Sequence, residues 1–168
     1  MKVVHVGLGG NSGSAAAIRR LNNKLIENQI CTDSVEMTFD GKRNKLDTIL
    51  SGLLILKNRL FYGRVRTQNG YSFFSCEVSH KIKELERIKS ADIIHLHWVE
   101  GFYSLSNLKY VLELGKPIVW TCHDSWIFTG GCCVKDGCNK YQIGCENCKF
   151  VKGNKVKYRL LPETYSNE

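Results

Sequence analysis

Short runs of apolar and β-branched residues alternate along this chain with segments whose apolar residues recur at helical spacing. Residues 2–7 predict a buried strand that ends in glycine, and residues 30–39 alternate between apolar and polar as a second strand does. Between them, residues 14–29 place their apolar side chains on one helical face, with Ser12 or Ser14 available as the N-cap. The chain therefore begins with a predicted strand, glycine-rich loop, helix and second strand.

The same alternation continues downstream. Further strands are predicted over residues 92–98 and 117–122, where apolar runs again stand between polar segments. Amphipathic spacing predicts helices over 46–61, 77–90 and 105–115. Strands that alternate with helices imply a parallel sheet with crossover helices, so the predicted class is an α/β, Rossmann-like fold.

Length and composition predict one soluble globular domain. The chain has 168 residues, of which 43% are hydrophobic and 24% charged. A chain of this size can bury a hydrophobic core without disulfides or a structural metal ion. Its longest apolar run, 49–56, is too short to span a membrane, and the N-terminus lacks the pattern of a signal peptide. We therefore expect a cytoplasmic protein with reduced thiols. The predicted domain covers 1–150, and the polar tail 151–168 is expected to begin a linker or to mark a truncation.

The formal net charge of +8 favours anionic partners, namely nucleic acid, phosphates or an anionic membrane surface. The basic residues are scattered, with mild concentrations at 41–45 and 152–159. A basic surface that is only solvated explains this distribution equally well.

The loop after the first predicted strand carries Gly7, Gly9, Gly10 and Gly13. Glycines between a strand and a helix let the backbone approach a ligand closely, and the helix N-terminus favours an anion. The dinucleotide fingerprint requires a third glycine where this chain has Ser12, so a dinucleotide cofactor is not predicted. A tight turn without a ligand remains the alternative.

Histidines stand at the ends of two predicted strands. His95 and His97 lie two residues apart and share a strand face, at the end where open α/β sheets bind ligands. Metal binding by this pair would need a further ligand, and no third histidine or carboxylate stands at a fitting spacing in the sequence. The alternative to metal binding is that both are histidines of the core or its rim. Trp98 lines a sugar pocket or caps the core. After the last strand, His123 suits proton transfer or hydrogen bonding, and Asp124 orients a ligand or caps the turn.

A cysteine-rich loop, residues 129–150, follows these histidines. A Cys-x2-Cys pair is a common half of a structural zinc site, and the glycines at 137 and 144 allow the turns that such sites use. Disulfides and unligated thiols are the alternatives, whereas a thiol redox centre would place its Cys-x-x-Cys at the start of a helix. The candidate zinc ligands are Cys132, Cys133, Cys138, Cys145 and Cys148, with either Cys132 or Cys133 as the first. Small core positions are expected for the remaining cysteines, Cys31, Cys76 and Cys122.

Three segments together carry a family resemblance: GGNSGSAAAIRRLNNKL after the first strand, ADIIHLHWVEG, and PIVWTCHDSWIFTGGCCVKDGCNKYQIGCENC. With these segments the chain resembles the N-terminal domain of glycosyltransferase family 4, in a bacterial subgroup that builds capsule, exopolysaccharide and lipopolysaccharide. The resemblance covers most of the chain. The third segment departs from the subgroup's pattern at Cys122, Ser125, Ile127, Cys133 and Lys149.

The resemblance implies the N-terminal half of a two-domain GT-B fold and a retaining transfer of sugar from a nucleoside-diphosphate sugar. It implies that the glycine loop lies near the donor phosphates and acceptor, that His97 and Trp98 line the acceptor side, and that His123 lies near the reacting sugar or acceptor hydroxyl. The acceptor would be a glycan or a lipid-linked glycan at an anionic membrane surface.

A donor-binding C-terminal domain does not fit within 168 residues, so we expect this chain to supply the acceptor-binding half and to be inactive alone. The alternative function is a zinc-stabilised, basic nucleic-acid-binding module. It explains the charge and the cysteines, but neither the order of elements nor the histidines, and the chain lacks a recognition helix, so nucleic acid is the less favoured partner.

Overall fold

The computed structural model describes residues 1–37, 85–100 and 103–145, together with Leu53 and Leu56. The described residues fall into two compact units, the first containing 1–37, 85–100 and 103–123 and the second containing Leu53, Leu56 and 124–145. The polar tail predicted over 151–168 lies outside the described residues, as does most of the helix predicted over 46–61, in which Leu53 and Leu56 alone are described and are helical.

The first unit begins with the predicted strand, helix and strand. Strand β1 spans Lys2–Leu8, helix α1 spans Gly13–Glu27, and strand β2 spans Cys31–Met37. The two strands pair in parallel, because α1 carries the chain back to the starting edge of the sheet. Ser12 is the N-cap of α1, and its Oγ accepts a hydrogen bond from the backbone N–H of Ala15 at 3.1 Å.

The remainder of the first unit adds two strands on the other side of β1. Helix α2 (Leu85–Lys89) leads into β3 (Ile93–Leu96), and helix α3 (Leu105–Leu112) leads into β4 (Ile118–Trp120). The four strands are all parallel, in the order β2-β1-β3-β4. This arrangement confirms the predicted α/β, Rossmann-like class.

The interior strand β1 is buried on both faces, as expected of a parallel sheet with helices around it. Val4 and Val6 on one face are 0% exposed, and His5 on the other face is also 0% exposed. Helix α1 contributes Ala15 and Ile18 to the same core. Strand β1 therefore has a neighbouring strand on each side and buried side chains on both of its faces.

An ion pair joins the edge strand β2 to helix α2. Arg87 donates through Nε to Asp33 Oδ2 at 2.9 Å and through Nη2 to Asp33 Oδ1 and to the carbonyl oxygen of Ser34. The hydrogen bond from Arg87 is the main cause that lowers the pKa of the Asp33 carboxyl, so this carboxylate stays charged at neutral pH. The contact fixes two segments that lie more than fifty residues apart in sequence.

Gly7 allows α1 to lie close to the sheet. A Cβ atom at this position would lie 2.9 Å from Ile18 Cδ1 on α1 and 3.0 Å from His97 Cβ beside β3. Both distances are shorter than ordinary van der Waals contact, so any side chain here would push the helix or the neighbouring strand away.

We therefore expect Gly7→Ala to lower the free energy of unfolding by about 1–3 kcal/mol, the usual cost of overpacking a core. Gly13→Ala is the matched control, because a Cβ atom on Gly13 meets no atom within 4 Å. That control should change stability by less than about 1 kcal/mol. Urea denaturation of both variants makes the comparison, and equal losses in the two would show that close packing at Gly7 does not matter.

Two of the cysteines expected in the core are exposed instead. Cys31 and Cys122 are both solvent-exposed, whereas Cys76 lies outside the described residues. Cys31 opens the edge strand β2, and Cys122 follows β4 at the opposite edge, so neither lies beneath a covering helix. That prediction was wrong because sequence periodicity does not show which strands form the edges of a sheet. Across the described ranges, no helix is long and apolar enough to cross a membrane.

Candidate functional site

The sheet changes direction between β1 and β3. From β1 the chain passes through α1 to β2 on one side, and β3 pairs with β1 on the other side. Open α/β sheets bind ligands in the crevice that forms at such a switch point, beyond the carboxyl ends of the strands. A ligand site is therefore expected at the segments that follow β1 and β3.

The glycine loop follows β1, at the end of the sheet where such a crevice is expected. The backbone N–H of Gly9 donates to the carbonyl oxygen of Met37 at 2.8 Å, and Gly10 has a φ of +73°, which favours glycine. Cβ atoms on Gly10 and Gly13 would meet no atom within 4 Å. The loop thus leaves open space beside the N-terminus of α1, as the ligand interpretation of the sequence requires.

Four of the chain's five histidines lie together in the first unit, and we call His5, His95, His97 and His123 the histidine cluster. His5 and His95 are paired in register on β1 and β3, so both rings lie on one face of the sheet. His97 follows His95 by two residues, and its backbone N–H donates to the carbonyl oxygen of Val6 at 2.9 Å, which extends the strand pairing beyond β3. Register on neighbouring strands, rather than proximity in sequence, brings the cluster together.

The rings contact one another through their nitrogen atoms. His97 Nε2 lies 3.4 Å from His5 Nδ1, and His97 Nδ1 lies 3.2 Å from His123 Nε2. His95 Nε2 lies 2.8 Å from the hydroxyl oxygen of Thr121. His97 is therefore the central ring, joined to a buried histidine on one side and an exposed one on the other.

Burial keeps the inner rings neutral. His5 is 0% exposed, His97 3% and His95 8%. Loss of solvent is the main cause that lowers the pKa of His5 to about 4 and that of His97 to about 3, and the neighbouring histidines lower both pKa values further. Burial and His123 also lower the pKa of His95. All three rings consequently carry a lone pair at neutral pH.

His5 was missed as a candidate, although it completes a set of three. One nitrogen from each of His5, His95 and His97 lies within 4.8 Å of the other two. The expectation that no third histidine fits was wrong, because the third ring comes from a neighbouring strand about ninety residues upstream. A polar residue inside the β-branched run of β1 was the signal that could have identified it.

The sequence candidates near the crevice differ in exposure. His123 is exposed and follows β4, whereas His97 is buried and Trp98 is half-buried. The indole Nε1 of Trp98 is buried and has no hydrogen-bond partner in the described ranges, and the indole of Trp120 donates to the carbonyl oxygen of His97 at 3.1 Å. His123 is thus the member of the cluster that solvent or a substrate can reach.

The second unit, as described over 124–145, consists of two short 3-10 helices and tight turns. Asp124 Oδ1 accepts a hydrogen bond from the backbone N–H of Trp126 at 2.8 Å, so this side chain caps the turn over Trp126–Phe128. This is the turn-capping interpretation of Asp124. The hydroxyl of Thr129 donates to the carbonyl oxygen of Cys132 at 2.8 Å and orders the start of the cysteine-rich loop.

Three of the candidate zinc ligands line one pocket of this unit. Cys132, Cys138 and Cys145 are among its lining residues, and Cys133 is not. Gly137, with a φ of +70°, forms the predicted turn before Cys138. No three cysteine sulfurs within the described ranges form a group whose atoms all lie within 4.8 Å of one another, so zinc would have to draw the thiols together. Cys148 lies outside the described residues.

Comparison with known proteins shows that part of this chain is similar to a protein described as a glycosyltransferase. Over 75 residues the chain is 32% identical to the "Putative colanic acid biosynthesis glycosyl transferase WcaC" of Escherichia coli (strain K12). The match covers 39% of this chain and 18% of that protein, so the chain spans much less than the length of this relative. No protein-family model and no solved structure matches the chain. Over this segment, the chain is therefore related to a protein described as a glycosyltransferase.

Proposed function

We propose that this chain supplies the acceptor-binding half of a retaining glycosyltransferase of family 4, with the GT-B architecture. In that role it would help to transfer a sugar from a nucleoside-diphosphate sugar to a hydroxyl group of a glycan or lipid-linked acceptor. The observation that carries the proposal is the 32% identity over 75 residues to a putative colanic acid biosynthesis glycosyltransferase. The Rossmann-like sheet and its switch point between β1 and β3 are consistent with this role.

The glycine loop and His123 are the groups that we assign to the reaction. In the transfer, the bond from the sugar's anomeric carbon to the diphosphate breaks and a bond from that carbon to the acceptor oxygen forms, so the reaction releases the nucleoside diphosphate and the proton of the acceptor hydroxyl. The open space beside Gly10 and Gly13 admits the diphosphate close to the N-terminus of α1, where backbone N–H groups stabilise negative charge. His123 is exposed and hydrogen-bonds the acceptor hydroxyl or the reacting sugar.

His97 and Trp98 act from beneath the surface in this scheme. His97 is 3% exposed and lies 3.2 Å from His123, so it orients the His123 ring rather than touching the acceptor. Trp98 is half-buried, so the exposed part of its ring would pack against a sugar, whereas its indole N–H is itself buried. Asp124 fixes the turn after His123 through its bond to Trp126 N–H.

The test is turnover of nucleotide sugars. The chain alone should release no nucleoside diphosphate, and it should support transfer when it is joined to a nucleotide-sugar-binding domain. Turnover by the chain alone would contradict the assignment of an acceptor half. Filter binding of DNA and RNA tests the nucleic-acid-binding alternative, which the net charge of +8 favours.

A structural zinc ion in the cysteine-rich loop is part of the proposal. Cys132, Cys138 and Cys145 line one pocket, and the backbone N–H of Gly130 donates to Cys145 Sγ at 3.1 Å, a bond that also stabilises a thiolate. Cys148 would complete a set of four thiolates, and this closed set would make the ion structural rather than catalytic. The pocket geometry favours Cys132 over Cys133 as the first ligand.

We expect one zinc ion per chain with sulfur ligands, and the double substitution C138S/C145S should abolish it. The reason is that two of four ligands are removed, and zinc stabilises a loop without regular structure. X-ray absorption at the zinc edge distinguishes sulfur from nitrogen ligands. The control is C31S, which removes an exposed thiol of the first unit, and loss of sulfur-bound zinc in C31S would count against the loop as the site.

Association with an anionic membrane surface is proposed on the basis of charge alone. A basic acceptor-binding domain with a net charge of +8 is attracted to anionic lipid at the inner face of a membrane, where lipid-linked acceptors would lie. Flotation with vesicles tests this, and equal recovery with neutral and anionic vesicles would argue against it.

A further inference from the structure

We propose that His5, His95 and His97 bind a divalent transition-metal ion, with zinc as the ion that fits best. This site is separate from the cysteine-rich loop and does not depend on the proposed sugar transfer. All three residues belong to the first unit and come from two adjacent strands of one sheet. One nitrogen from each ring lies within 4.8 Å of the other two.

The spacing of the nitrogens is close to that of a tetrahedral site. Two nitrogens bound to one tetrahedral zinc ion at about 2.0 Å lie about 3.3 Å apart. His5 Nδ1 and His97 Nε2 are 3.4 Å apart. Small rotations of the rings would bring the His95 nitrogen to the same spacing, because its ring centroid lies 4.1 Å from that of His97 and 5.0 Å from that of His5.

A buried nitrogen without a partner also points to a ligand. His5 is 0% exposed, and its Nε2 has no hydrogen-bond partner in the part of the chain that the structure describes. A buried polar atom without a partner is costly, and native structures rarely contain one without a functional reason. A metal ion bound through Nε2 would give this nitrogen a partner, whereas binding through Nδ1 would leave Nε2 as the ring's N–H.

The surroundings orient two of the three ligands. Metal-binding histidines commonly use their second nitrogen in a hydrogen bond that fixes the ring and its tautomer. His97 has such a bond from Nδ1 to His123 Nε2 at 3.2 Å, which leaves its Nε2 for the metal. His95 Nε2 lies 2.8 Å from the Thr121 hydroxyl, which fixes the orientation of that ring.

Ligand chemistry selects the class of ion. Imidazole nitrogen suits zinc and its neighbours in the first transition row, whereas magnesium and calcium prefer oxygen ligands. Three histidines leave at least one position of a tetrahedral ion open to water or to a hydroxyl group of a ligand. The proposed site therefore resembles a zinc site with three protein ligands and one exchangeable ligand, rather than a structural zinc site with four protein ligands.

The test is a zinc titration of the untagged, chelator-stripped chain in the C138S/C145S background, which removes thiols of the cysteine-rich loop. We expect one zinc ion per chain, bound by nitrogen and oxygen atoms alone in X-ray absorption. H5N and H97N should each weaken zinc binding more than about 100-fold, and H123N, which removes a hydrogen-bond partner of a ligand, about 10–100-fold. H80N is the matched control, since His80 is the fifth histidine and has no part in the proposed site.

Two results would overturn the site: no stoichiometric zinc in the C138S/C145S chain, or zinc binding that H5N and H97N leave unchanged. If these variants fail to fold, the imidazole nitrogen resonances of the unsubstituted chain decide the question. Zinc should shift the resonances of His5, His95 and His97, and unshifted resonances at saturating zinc would also exclude the site. Sulfur-bound zinc is counted separately, so failure of either site leaves the other measurable.

Discussion

Lowering the pH from 7 to 5 is expected to reduce the free energy of unfolding of the metal-free chain by about 2 kcal/mol for each of the two most buried histidines, His5 and His97. Burial lowers the pKa of His5 to about 4 and that of His97 to about 3, so both rings stay neutral in the folded chain at pH 5. In the unfolded chain both titrate near 6.5 and are mostly protonated at pH 5.

The sign of this pH effect follows from the number of protons that the folded and unfolded chains bind. Between the unfolded and folded pKa values the unfolded chain binds more protons, so acid favours unfolding. The stabilisation is complete above pH 6.5, falls as the pH drops below that value, and reaches its lowest level near pH 3–4, where the folded rings also protonate. The two contributions are coupled, because His97 Nε2 lies 3.4 Å from His5 Nδ1 and protonation of one ring disfavours protonation of the other.

Urea denaturation at a series of pH values in the presence of a chelator measures this dependence. His5→Asn keeps a polar atom near the position of Nδ1 but cannot be protonated, so the variant should show a smaller dependence on pH between about 4 and 6.5. H80N serves as the control for the number of histidines. An unfolding free energy that is constant from pH 7 to pH 5 would mean that the inner rings are not held neutral in the folded chain.

Substitution of His123 by alanine is expected to lower kcat/KM for sugar transfer by about 100-fold to 10,000-fold, the usual effect of removing a group that exchanges or shares a proton with a reacting hydroxyl. The assay uses the transferase that this chain is proposed to form with a nucleotide-sugar-binding domain. His123 is the exposed member of the histidine cluster, so its loss would remove the proposed contact to substrate and leave the buried rings in the sheet.

Two comparisons separate this role from a structural one. His123→Asn retains a hydrogen-bonding side chain, so it should recover part of the KM effect but little of the kcat effect if proton transfer matters. C31S changes an exposed side chain at the far edge strand and should leave both constants unchanged. Activity of His123→Ala within about threefold of the unsubstituted enzyme would remove His123 from the reaction.

Local sequence patterns predicted the elements of the first unit well. The β-branched run at residues 2–7 and the helical spacing at 14–29 correspond to β1 and α1, and Ser12 is the N-cap. These features are encoded within a few residues of one another, through side-chain alternation and capping chemistry. The predicted strands at 92–98 and 117–122 are shorter in the structure. The residue types near their ends do not determine where the pairing of strands stops, so the sequence did not predict these ends.

The parts that sequence reasoning missed depend on which strands are neighbours. His5 lies beside His95 because β1 and β3 pair in register. Arg87 contacts Asp33 because helix α2 lies next to the edge strand β2. Cys31 and Cys122 are exposed because their strands are at the two edges. Strand order was not predicted, and it decides all three outcomes.

The histidine cluster changes what the predicted site residues can do. His97 was expected to line the acceptor side, and the structure places it 3% exposed between His5 and His123. A ring buried in this way contacts His5 and His123 and has little surface to offer an acceptor. Spacing at positions i and i+2 correctly predicted that His95 and His97 share a face, and it left open whether they are core histidines, which their burial now shows.

The most direct test of the proposed sugar transfer is the profile of lipid-linked and surface glycans in the source organism after deletion of the gene that encodes this chain. We predict a glycan that lacks one sugar and everything attached beyond it, with accumulation of the shortened acceptor. The unsubstituted gene should restore the full glycan, and a gene carrying His123→Ala should not. A glycan profile that deletion leaves unchanged would contradict the proposal that this chain takes part in glycosyl transfer.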